Sequence, residues 1–72
     1  MRNYLKNVRR ERGLTRQAVA EHVGISAHYY CMIEQGSRQG ELSLMFAVKL
    51  SEVLQVPLAR IVEEEMALRK EA

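Results

Sequence analysis

The sequence predicts an all-α fold of five short helices, and three observations carry that expectation. Apolar residues recur at helical spacings along the chain. Gly13, Gly24 and Gly36 each follow such a stripe, while Thr15 and Ser26 stand just ahead of the next one. These are the residue types that close and open helices. The chain has one proline, Pro57, and no hairpin dipeptide such as Asn-Gly, so nothing argues for paired strands.

The elements follow in order. Tyr4, Leu5 and Val8 lie at i, i+1 and i+4 and give the first helix one apolar stripe, which Gly13 ends. Thr15 opens a second helix from Arg16 to Val23, with Val19, Ala20 and Val23 on one face. Gly24 punctuates, and Ser26 opens a third helix that runs to Gln35, with Tyr29, Tyr30 and Ile33 toward the inside. Gly36 closes it, and residues 37–40 form a polar loop. The stretch from Leu42 to Leu54 carries Leu44, Met45, Val48 and Leu54 as its stripe, thickened by Ala47 and Leu50. Pro57 suits the first turn of a fifth helix with Leu58, Ile61 and Val62 on its face. Residues 63–65 are a solvated run of glutamates, and Met66 and Leu68 either extend the helix or fray.

Length and composition bound the function. Seventy-two residues make a single domain, expected over 1–72 with a core at about 3–63 and an acidic or mixed extension at 64–72. A hydrophobic share of 47 % with 28 % charged residues is too apolar for a disordered chain. No apolar run is long enough to span a bilayer, and no secretory signal is present, so no membrane role and a cytoplasmic location are expected. The lone Cys31 excludes an internal disulfide. With no Trp and a single Phe, Phe46, the core has to be aliphatic, with tyrosines as its larger members. Residues 1–16 set six cations against Glu11, a net +5, whereas residues 17–40 and 41–72 carry −1 and −2. A basic front with an acidic rear fits a polyanion on one side of the fold, but charge alone fits a merely solvated basic helix face better.

The informative element is the pair of short helices joined by Gly24-Ile25-Ser26. A glycine-containing turn of three or four residues between helices that cross steeply is a helix-turn-helix unit. Gly24 accepts the left-handed backbone of the turn, Ile25 plugs it from beneath, and Ala20 is small because the helices cross there. The second of the two helices then projects toward a major groove about 12 Å wide. The order of these pieces resembles a known family. Residues 9–15 (Arg-Arg-Glu-Arg-Gly-Leu-Thr), Val19-Ala20, Gly24-Ile25-Ser26 and residues 29–38 are similar to the lambda repressor/Cro-type (Xre family) helix-turn-helix domain. The resemblance covers roughly residues 3–63. It implies a compact five-helix, lambda-repressor-like domain that works as a homodimer on a short, roughly palindromic operator in double-stranded DNA. It also implies an ion pair between Arg9 and Glu34, and a phosphate-touching loop containing Gln35, Ser37 and Arg38. The chain departs from the family pattern at Arg16, where Gln is common, at Ala27, where a polar residue is, and at Cys31, where Ser is. These three positions change expected DNA contacts. Gly40 and Glu41 replace a loop proline and serine, and Gln55 replaces a glycine near the end of the fourth helix.

The residue chemistry assigns further roles. Arg16 adds a full charge to a helix N-terminus, a ready anion site, or else is a free surface arginine. Gln17 bonds either the DNA backbone or the neighbouring helix. His28, early in the third helix and outward, is the best donor to a guanine edge or a phosphate, and otherwise a solvated histidine. Ala27 offers only a methyl to thymine. Met32 shares the His28 face and either meets a thymine methyl or fills a gap. Tyr29 stacks or donates its hydroxyl to phosphate, whereas Tyr30, three residues from Ile33, reads as core. Lys6, Arg10 and Arg12 supply diffuse attraction.

Other chemistry is poorly supported. His28 and Cys31 with His22 fall short of a structural zinc set, and neither metal nor cofactor is expected. Cys31 is a redox switch or, by default, a small half-buried thiol. The chain has no Gly-rich phosphate loop, no His-Glu-x-x-His and no aspartate, so no enzyme is expected. The function expected is a sequence-specific DNA-binding transcriptional regulator, of the phage or mobile-element repressor type or the restriction-modification controller type. The alternative is an antitoxin-like protein-interaction module that uses the acidic tail and a Met66/Leu68 edge.

Overall fold

Five helices form in the order α1 (Asn3–Glu11), α2 (Arg16–Val23), α3 (Ala27–Gln35), α4 (Leu44–Leu54) and α5 (Leu58–Lys70). The structure is a computed structural model and describes residues 2–38 and 40–70. No strand occurs among them. Glu71 and Ala72, the end of the expected 64–72 extension, and Gln39 of the 37–40 loop lie outside the described residues.

Three helix starts are set by the same local chemistry. Thr15 Oγ1 accepts from the Ala18 amide at 3.0 Å, Ser26 Oγ from Tyr29 at 3.1 Å, and Ser43 Oγ from Phe46 at 3.2 Å. Each bond satisfies an amide that the helix leaves unpaired. The Ser43 cap moves the start of α4 from the expected Leu42 to Leu44. Leu42 instead packs, half-buried, against the core from outside the helix. Pro57 precedes α5 rather than lying in its first turn, and its carbonyl accepts from the Arg60 amide at 3.0 Å.

The core is aliphatic apart from Tyr4 and Tyr30. Leu5, Val19, Ala20, Tyr30, Ile33, Leu50, Leu54 and Ile61 are almost wholly buried. α2 packs against both α3 and α4, α1 against α3, and α5 against α4. Burying each large aliphatic side chain contributes roughly 1.5–3 kcal/mol. The packed body continues past the expected boundary at residue 63. α5 is unbroken, Leu68 packs inward, and Glu65 accepts hydrogen bonds from Arg2 and Tyr4.

Candidate nucleic-acid interface

The α2–α3 turn begins at Ala20. Its carbonyl accepts from both the Gly24 and the Ile25 amides, at 2.8 and 3.0 Å, as the chain reverses through Gly24 at φ 90°. A side chain is poorly tolerated at that φ. Ala20 is buried at the helix crossing, Ile25 is half-buried beneath the turn, and Lys49 reaches from α4 to the Val23 carbonyl at 3.4 Å. These contacts fix α3 relative to α2.

α3 buries Tyr30, Ile33 and Glu34 and leaves the opposite face open. His28 and Gln35 are exposed, and Cys31 and Met32 are half-buried. At spacings of three, four and seven from His28, these four residues form one stripe. Ala27 and Tyr29 lie differently. Both are half-buried and pack against the core, and the Tyr29 ring sits 6.3 Å from that of Phe46, tilted by 47°. They border the outer stripe rather than belong to it. His22, His28 and Cys31 are not gathered into a metal-binding group among the described residues.

Glu34 organises the charges behind the stripe. The Arg9 Nε donates to its Oε2 at 2.8 Å, and the Arg16 Nε lies 3.5 Å from its Oε1. The carboxylate and the Arg9 side chain are buried, whereas the Arg16 side chain is 44 % exposed. Arg9 also donates to the Leu14 carbonyl at 3.0 Å. One carboxylate between two guanidiniums leaves a surplus positive charge, and the exposed part of it is Arg16 at the N-terminus of α2. The Tyr30 hydroxyl is buried beside this group without a hydrogen bond. Burial first, and the Glu34 charge second, push its ionisation well above the usual tyrosine range. Gln17 is exposed next to Arg16, its amide 3.5 Å from Glu21. Ser37 and Arg38 are exposed, and their amides bond back to the Met32 carbonyl at 3.0 and 3.4 Å.

The basic front is less available than its composition suggests. Arg2 is buried, its guanidinium against Glu65 at 3.0 Å. Arg12, expected to provide diffuse attraction, donates to the Leu54 and Gln55 carbonyls at 3.1 and 3.2 Å and so caps the end of α4. Arg10 is exposed and Lys6 half-buried. A cation at the start of a helix opposes the helix dipole, but that effect is weak and does not name the carboxylate that the fold supplies.

α4 and α5 expose Leu44, Met45, Val62 and Met66. Between them runs an open groove of about 250 Å³ whose rim carries an ion pair between Arg69 and Glu41. The expected Met66/Leu68 edge is split, because Met66 faces out and Leu68 packs in. No helix among the described residues is long and apolar enough to cross a membrane. The profile of a family described as helix-turn-helix matches residues 5–61. Neither a curated protein nor a solved structure matches the chain.

Proposed function

From the premise that this chain belongs to the Xre/lambda repressor-type helix-turn-helix family of DNA-binding regulators, we propose that it is a cytoplasmic transcriptional regulator that reads a specific duplex sequence through α3. The observation that carries this reading is the open stripe of His28, Cys31, Met32 and Gln35 on a helix rigidly capped and crossed by α2. In this reading Arg16 and Arg38 contact phosphates, with Gln17, Gln35 and Ser37 adding polar bonds to the backbone. His28 bonds a base edge and Met32 meets a thymine methyl. Ala27 and Tyr29 shape the border of the contact. A single copy reads only a few base pairs, so the operator is palindromic and the working form is a homodimer with half-sites about 34 Å apart. The exposed apolar α4–α5 edge supports that reading, since a second copy would cover it. The same edge favours the rival reading, a module that binds another protein and contacts DNA weakly.

The test is fluorescence anisotropy over a salt series. The duplex comes from the region upstream of the chain's own gene, and a scrambled duplex is the comparison. Selective binding with a steep salt slope is expected. Arg16→Ala should weaken both duplexes alike and make the slope shallower by about one. His28→Ala should erode the preference by roughly 1–3 kcal/mol. No binding to either duplex at low salt would sink the DNA reading and leave the protein-partner one.

A further inference from the structure

Arg2 touches three separate parts of the fold. Its guanidinium grips Glu65 of α5, with Nε 3.2 and 3.0 Å from Oε1 and Oε2 and Nη2 3.1 Å from Oε1. Its Nη1 donates to the Ile33 carbonyl in the last turn of α3 at 2.9 Å and to the Arg38 carbonyl at 3.3 Å. Its own amide donates to the Glu34 carbonyl at 2.8 Å. The Tyr4 hydroxyl donates to the same Glu65 carboxylate and orients it from the other side. The guanidinium is planar, so a carboxylate that fixes one edge also fixes the direction of the remaining N–H groups. Those groups point at the end of α3 and at the loop that follows it.

That loop carries the exposed Ser37 and Arg38 side chains. Its backbone is held on the amide side by the Met32 carbonyl and on the carbonyl side by Arg2. The second restraint comes from the N-terminal end of the chain and is anchored on α5. We propose that Arg2, with Glu65 and Tyr4 behind it, is a positioning residue for DNA binding: it sets the loop after α3 so that Arg38 meets a phosphate. The inference rests on the DNA-binding reading. It adds that phosphate contact on the α3 side depends on how α5 is seated.

Two measurements separate the positioning from the DNA reading. The first uses Glu65→Gln, which keeps the side-chain size and removes the charge that fixes the Arg2 fork. In amide hydrogen exchange of the full chain, Ser37 and Arg38 should exchange about tenfold faster in this variant, with Ala18 at the start of α2 unchanged. A uniform rise across the chain, or no change at Ser37 and Arg38, overturns the proposal whether or not DNA binds. The second is anisotropy with a random-sequence duplex over a salt series. Glu65→Gln should weaken binding roughly fivefold near physiological salt and make the slope shallower by about one, as Arg38→Ala does. Combined with Arg38→Ala, it should add nothing further. A full additional loss in the double variant would show that Glu65 acts only on general stability, and would overturn the proposal. If Glu65→Gln fails to fold, Tyr4→Phe removes one hydrogen bond from the same carboxylate, and the same pattern is expected at smaller size. If the unaltered chain binds no duplex, the DNA reading fails, and the exchange experiment still decides the positioning.

Discussion

Glu34 shows how one side chain serves both stability and the surface. Two charges taken out of water contribute little net stability as a pair, but removing one partner strands the other. Glu34→Ala should therefore cost about 3–5 kcal/mol in urea unfolding. Arg9→Met combined with Glu34→Leu should recover much of that loss, because no buried charge then remains from the pair. Tyrosine ionisation gives a second check. Burial, and next its hydrogen bond to Glu65, raise the pKa of Tyr4, and burial beside Glu34 raises that of Tyr30. Both are harder to ionise folded than unfolded. The stability this provides is whole below about pH 10, the unfolded tyrosine value, and declines as pH rises above it. Melting temperature followed from pH 9 to 11.5 should fall steeply above 10, and tyrosinate absorbance from these two side chains should appear only with unfolding.

At the level of single helices, two C-terminal residues with opposite problems make a matched test. Gly24 sits at φ 90°, and a Cβ built there meets nothing within 4 Å. Gly24→Ala should cost about 1 kcal/mol or more, all of it backbone strain. Gln55 ends α4 at φ 56°, ψ 45°, the left-handed region, without being glycine. Gln55→Gly should stabilise by roughly 0.5–1 kcal/mol, the relief of strain exceeding the extra freedom of the unfolded chain. Denaturant midpoints of the two variants should shift in opposite directions. Arg12, which donates to the Gln55 carbonyl, helps to hold that strained end.

For the whole molecule, the question is what covers the α4–α5 edge. Met66 is 56 % exposed, so Met66→Glu should leave melting of the dilute protein within about 0.5 kcal/mol of its starting stability. In sedimentation it should shift the protein toward monomer, and operator affinity should fall with the lost second half-site. A variant still dimeric, with undiminished affinity, would place the dimer contact elsewhere.

The five helices, the Thr15 and Ser26 caps, the glycine turn and the Tyr30–Ile33 inner face were legible in the chain itself. Each is set by chemistry acting over three or four residues, and such spacing is written in the order of residues. The Ser43 cap is equally local, but Leu42 just ahead of it extends the apolar pattern and masks it. The shared outer face of His28 and Met32 followed from the same periodicity once Ile33 faced in, whereas Cys31 and Gln35 join that face only in the folded helix. The fates of the arginines were not legible. Arg2 and Glu65 are 63 positions apart, and Arg12 and Leu54 are 42. An arginine at the surface and one that closes a helix end look alike in sequence, because a guanidinium's role depends on which carboxylate or carbonyl the fold brings to it. Which of the basic residues remain to meet a polyanion was therefore decided by packing, as was the continuation of α5 beyond the run of glutamates, where Glu65 becomes the anchor of Arg2.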